Sequence, residues 1–283
     1  MGWGAASPTA PAAHGPLGRD RGTEPGQGLI SWGAMLSLLE LDNYIGQLLE
    51  TVRFRDYCPN GLQVEGCARV ARVVTGVTAS MDLLRCAIDA GADAVLVHHG
   101  YFWKGEAPQV TGIKRKRLGL LLERDVSLLA YHLPLDAHRE LGNNARLAAR
   151  LGFAVEGWFG DQEIAAHGHL AEPLPLATLS GRVASVLDRE PLVVGDPAKE
   201  VRRIAWCSGA AQDFFGDAIA LGADAFVTGE VSERTIHLAR ESGVAFIGAG
   251  HHATERYGIQ ALGEHLAARF GLEHRFIDIP NPV

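Results

Sequence analysis

Cysteine is scarce in this chain. There are four in 283 residues, Cys58, Cys67, Cys86 and Cys207, and no two form a C-x-x-C pair. That pattern lacks a zinc-knuckle spacing, and it reads as reduced thiols in a cytoplasmic protein more readily than as disulfide or metal partners. Long apolar runs are missing too. None approaches the roughly 18 residues of a membrane span, so no membrane association is expected. The G-x-x-x-x-G-K-[ST] phosphate loop, the G-x-G-x-x-G dinucleotide fingerprint and the G-x-S-x-G nucleophile elbow are all absent. Basic residues are outnumbered, 26 Lys and Arg against 33 Asp and Glu, for a formal charge of −7. Such a balance disfavours nucleic acid as a general partner. The one basic run, Lys114 to Arg117, reads as a solvated helix face more readily than as a phosphate site.

The first 34 residues stand apart. Eighteen of them are Gly, Pro or Ala, and they carry no hydrophobic period and no apolar signal core. They are expected to be a disordered extension, with Met35 as the natural start. From there the pattern alternates. Leu38, Leu41, Ile45, Leu48, Leu49 and Val52 fall at helical spacing, so 36–52 reads as an amphipathic helix. Residues 56–66 read as a loop rich in turn formers. Apolar strands then alternate with helices as far as Leu151. The stretch 153–200 is less regular, and alternation resumes from Arg203 to Ile279. Alternation of this kind predicts an α/β fold with helix-covered sheets.

The regular parts resemble each other. Ala87-Ile-Asp-Ala-Gly-Ala-Asp-Ala94 matches Ala218-Ile-Ala-Leu-Gly-Ala-Asp-Ala225 at an offset of 131 residues. Two similar α/β lobes produced by an internal duplication are therefore expected. Residues 35–152 form the first lobe, 153–200 a connecting region and 201–283 the second lobe, with 35–283 as one compact unit.

Polar clusters follow three of the apolar strands: His98-His99-Gly100, His132-Leu-Pro-Leu-Asp136 and Gly250-His251-His252-Ala-Thr-Glu255. Strand ends are where open α/β sheets gather their ligands. Neutral imidazole and carboxylate are the usual donors to zinc, iron, manganese and nickel. His98, His99, Asp136, His251 and Glu255 are accordingly the candidate metal ligands, and two divalent ions the candidate cofactor. His251 and Glu255 share a face if their helix begins early enough. The plainer alternatives are a hydrogen-bonded strand end for the His98–His99 pair and turn or helix capping for the others. His252, His132 and Glu230 are the candidate proton carriers.

The same clusters, with Asp56-Tyr-Cys-Pro-Asn-Gly-Leu-Gln-Val-Glu-Gly66 and Gly142-Asn-Asn144, resemble the GTP cyclohydrolase I type 2 homologs, also called NIF-three-like proteins. The resemblance runs from about Leu38 to Val283 and matches the short bacterial form. It implies a two-lobed α/β fold with a dinuclear metal centre in the cleft. The ligands it implies are the same five, with Glu255 bridging. It also implies a toroidal homohexamer and a link to damaged-nucleotide handling. The expected function is metal-dependent hydrolysis of a nucleotide-like small molecule by a metal-bound hydroxide. The alternative is a non-enzymatic metal-binding or adaptor ring.

Overall fold

Ser37 caps the first helix. Its hydroxyl accepts the Glu40 N–H at 3.2 Å, and the Glu40 carboxylate accepts the Ser37 N–H at 3.1 Å. This reciprocal box satisfies two amide donors that the first helical turn leaves open. The computed structural model describes residues 35–283, so the expectation for 1–34 lies outside the described residues.

The first part of the chain runs β1 (Leu36–Ser37), α1 (Leu38–Leu48), β2 (Gly61–Val64), β3 (Arg69–Val70), β4 (Arg72–Thr78), α2 (Met81–Asp89), β5 (Ala94–His99), α3 (Gly112–Glu123), β6 (Ser127–Ala130), α4 (Leu133–Ala137) and α5 (Asn143–Leu151). The remainder runs β7 (Phe153–Phe159), β8 (Ala165–Pro175), α6 (Leu176–Leu187), β9 (Leu192–Val194), β10 (Glu200–Cys207), α7 (Phe215–Ala220), β11 (Ala225–Thr228), α8 (Glu233–Ser242), β12 (Ala245–Gly248), α9 (His251–Phe270) and β13 (Glu273–Phe276).

Two larger sheets organise these elements. One has the order β13-β4-β5-β6-β2 and the other β7-β8-β10-β11-β12-β9. Each has parallel strands at its centre: β4, β5 and β6 in the first, β10, β11 and β12 in the second. Their apolar runs are buried on both faces, as parallel strands covered by helices must be. The fold is mixed α/β.

One small motif recurs at the 131-residue offset. The Asp93 carboxylate accepts the amides of Ala71 and Arg72, and the Asp224 carboxylate accepts those of Arg202 and Arg203. The strand registers shift by the same amount, Val73 opposite Ala94 and Ile204 opposite Ala225.

The structure departs from the periodicity in four places. The loop expected at 56–66 contains β2, which pairs antiparallel with β6. Its Gly and Pro neighbours hide a strand of only four residues. In the less regular stretch 153–200, β9 falls at the expected Leu192–Val194 and β8 extends the expected strand Ile164–Leu170 as far as Pro175, whereas β7 has no counterpart in the periodicity; all three pair antiparallel in the second sheet. Their partly exposed residues break the clean alternation. The segment after β6 forms a one-turn helix, α4, rather than a bare turn. Finally, β13 pairs with β4 of the first sheet, although it lies at the C-terminal end of the chain.

Helix α9 makes that return possible. It leaves the end of β12 and lays Ile259, Leu262 and Leu266 against Leu41, Ile45, Val73 and Leu96, core residues of α1 and the first sheet. It also packs closely on α5. The approach requires Gly258, whose N–H donates to Asn143 Oδ1 at 2.9 Å. A Cβ there would overlap that oxygen and stand 2.8 Å from the Asn143 backbone nitrogen. Gly258→Ala should lower folding stability by about 1–3 kcal/mol, the usual cost of overpacking. Denaturant unfolding with an unchanged m-value is the check, and wild-type stability would contradict it.

Candidate metal centre

The five candidate ligands come from three strand ends. His98 and His99 close β5, Asp136 sits in α4 after β6, and His251 opens α9 after β12. Helix α9 begins at His251, so Glu255 lies one turn further on the same face. His251 Nε2 is 3.1 Å from Glu255 Oε2. His99 Nε2 approaches the same oxygen at 3.2 Å. His98 Nε2 lies 3.4 Å from Glu255 Oε1 and 3.5 Å from Asp136 Oδ1. Two donor groups result, His98–Asp136–Glu255 and His99–His251–Glu255, with Glu255 common to both.

Groups behind the ligands orient them. His98 Nδ1 donates to the Tyr131 carbonyl at 2.9 Å, which turns Nε2 toward the carboxylates. His251 Nδ1 donates to Glu230 Oε1 at 2.7 Å, and His99 Nδ1 meets the Thr78 hydroxyl at 3.1 Å. Asp136 Oδ1 accepts from Asn143 Nδ2 at 2.8 Å and from the Ser208 hydroxyl at 3.2 Å. Metal-binding histidines typically show this fixed tautomer. Gly209 lets the β10–α7 connection pass Glu255. Its φ is +68°, and a Cβ would collide with Glu255 Oε1.

The donor set fits a divalent metal. Glu255 is 3 % exposed, yet its Oε2 is buried with no aligned hydrogen bond, although two imidazole nitrogens stand just over 3 Å away. These atoms face a common space, as lone pairs do around a cation. Without one, the electrostatics are divided. Burial opposes charge on His98, but Asp136 and Glu255 outweigh it and lift the imidazole to about 10. Burial and the neighbouring imidazoles push His99 down to about 3. Burial opposes charge on His251 too, but Glu255 and Glu230 raise it to about 9. Burial would raise Glu255, but His98 and His99 hold it well below the carboxylate range. Asp136 is shifted upward by burial, helped by Glu255.

The remaining candidates separate. His132 joins the cluster: its ring centroid is 5.1 Å from that of His98, and it lines the adjoining cavity. Its Nδ1 donates to Asp56 Oδ1 at 2.7 Å. Glu230 touches the cluster through His251 alone. His252 turns away from it and contacts Asp278 at 2.7 Å. The cavity measures about 310 Å³ and is lined by Asp136, His251 and Glu255 together with Tyr57, Ile164 and Phe214. Residue-type reasoning assigned no role to Asp56, Asn143, Thr78 or Ser208. The two consecutive asparagines opening α5 carried a signal, because Asn143 and Asn144 are both fully buried.

Together these features define a class: a mixed α/β protein whose strand ends converge on a buried histidine–carboxylate cluster able to hold metal. The chain belongs to the Duf34/NIF3 (NGG1p interacting factor 3) family, whose profile matches residues 36–282. It is 58% identical over 247 residues to the GTP cyclohydrolase 1 type 2 homolog of Pseudomonas aeruginosa, covering 86% of this chain and 96% of that one. The Escherichia coli protein of the same name is 54% identical over 245 residues, covering 86% and 98%. A solved structure of a protein called ybgI, described as of unknown function, superposes with a TM-score of 0.85 at 52% identity, over 88% of this chain and all of that one.

Asp56 ties the 56–60 loop to the site. Its carboxylate accepts from His132 Nδ1, Asn60 Nδ2 and the Leu133 N–H. Burial pushes its pKa up, but these donors, His132 first, bring it down to about 2. A carboxyl depressed on folding stabilises the native state above its unfolded pKa, near 3.8, and loses that contribution as pH falls through the folded value. The Asp56-dependent part of stability should therefore be constant above about pH 5 and vanish between about pH 4 and 2. Acid unfolding of wild type beside Asp56→Asn checks this, and parallel curves across that window would contradict it.

Proposed function

We propose that this chain is a dinuclear metal-dependent hydrolase acting on a small nucleotide-like molecule. One observation carries the reading: five donors converge beside a small-molecule cavity that Asp136, His251 and Glu255 line, with Glu255 shared between two donor groups. A carboxylate so placed suits a bridge between two ions. His98, Asp136 and Glu255 would hold one, and His99, His251 and Glu255 the other. Three protein ligands at each position leave coordination sites for water and substrate. Bound divalent ions supply Lewis acidity and lower the pKa of water.

The chain's own residues supply the rest. Asp56 holds the proton of His132 on Nδ1 and leaves Nε2 as the basic nitrogen, in a ring that lines the cavity. That atom is placed to take a proton during attack and return it to a leaving group. Tyr57 and Phe214 offer aromatic surface to a planar base. The cavity is at the lower end of the range for small-molecule sites, which favours a nucleoside-sized substrate.

Elemental analysis of the purified protein should find close to two metal ions per chain, falling sharply in Glu255→Ala. The metal-loaded protein should open or hydrolyse a member of a panel of nucleotides, damaged nucleotides, phosphoesters and cyclic amides, and His132→Ala should lower kcat about 10²–10⁴-fold, as loss of a general base does. Full metal retention in Glu255→Ala would overturn the site. Absence of turnover across the panel would favour a metal-binding adaptor.

We also infer that the two sheets descend from a duplicated α/β lobe. The Asp93 and Asp224 motifs and the matching strand registers support this. A homohexameric ring is the assembly we propose. Light scattering should give the mass of six chains, and a monomer or dimer would exclude it.

A further inference from the structure

The two donor groups differ in ways that bear on which ion each would take. The His98–Asp136–Glu255 group offers one nitrogen and two carboxylates. The His99–His251–Glu255 group offers two nitrogens and the shared carboxylate. Burial separates them as well. The side chains of His98 and Asp136 are 0% and 7% exposed, against 15% and 26% for His99 and His251. Both groups reach the 310 Å³ cavity, through Asp136 and His251, but only the His99–His251 group also lines a second, smaller opening with Thr78.

The supporting groups reinforce the contrast. Asp136 is held by two neutral donors, Asn143 and Ser208, which fix its oxygen without competing for charge. His251 donates to a carboxylate, Glu230, which makes its free nitrogen a stronger electron-pair donor. His251 is also the first residue of the twenty-residue helix α9.

Resting on the dinuclear reading above, we propose that the centre is built for two different ions. The oxygen-rich buried position takes a hard cation of the manganese type, and the nitrogen-rich open position takes zinc. Carboxylate and water ligands suit manganese, whereas two histidines and a glutamate form a recurrent zinc set. Zinc binds most ligand sets more tightly than manganese does, so the preference shows when zinc is limiting. The first equivalent then enters the His99–His251 position, and manganese fills the other.

The test uses the full chain, stripped with a chelator, given one equivalent of zinc and then excess manganese. After desalting, elemental analysis should give close to one zinc and one manganese per chain. Electron paramagnetic resonance should show the six-line signal of isolated manganese rather than that of a coupled pair. Under the same loading, His251→Ala should lose the zinc and keep the manganese, and Asp136→Asn should do the reverse. Circular dichroism of both variants checks that they are folded. Zinc spread over both positions, a coupled manganese pair, or equal loss of both ions in either variant would overturn the proposal while leaving a dinuclear centre standing. Failure of wild type to bind either ion would overturn the dinuclear reading and this proposal with it.

Discussion

Two carboxylates buried against three imidazoles are the constraint around which this molecule is arranged. Asp136 and Glu255 are nearly sealed from water, and an isolated buried carboxylate costs several kcal/mol. The fold surrounds them with positive or donating partners: His98 between them, His99 and His251 on Glu255, and Asn143 and Ser208 on Asp136. These protein groups satisfy the carboxylates only in part. One Glu255 oxygen keeps no aligned hydrogen bond, and the three imidazoles are driven to opposed protonation states by the same few charges. A site that balances poorly without an ion is one that an ion stabilises.

Much of the surrounding architecture follows from holding those groups in place. Helix α9 must begin at His251 for Glu255 to fall on the same face, and it must cross from the end of β12 to the first sheet for Glu255 to meet His98 and His99. That crossing brings α9 against α5, where Gly258 admits Asn143, and the same Asn143 side chain holds Asp136. Gly209 admits Glu255 from the other side. One helix thus couples core packing to site geometry. A packing change at Gly258 would be felt at Asp136 through a single shared side chain.

The legibility of these parts in the sequence was uneven. The apolar central strands are legible, and helices α2, α5 and α8 are marked by the glycines that close them, Gly91, Gly152 and Gly243. Strand β2 was hidden by turn residues on either side, and β7 by its half-exposed face. All five candidate ligands stand together. His132 stands with them, while His252, its equal as a candidate from residue type, faces Asp278. Adjacent histidines at a helix start point in different directions, and only the carboxylate four residues on identifies the one that faces the cluster.

The sequence alone determined the α/β character, the strand ends where polar groups gather, and which histidines and carboxylates were candidates. Each depends on local period and residue chemistry. Only the tertiary structure decided that α9 spans both sheets, that Asn143 and Ser208 stand behind Asp136, and that Asp56 stands behind His132. These relations join residues tens to more than a hundred positions apart. They depend on the direction in which α9 leaves β12 and on how closely glycines let backbones approach, and neither is encoded by local periodicity.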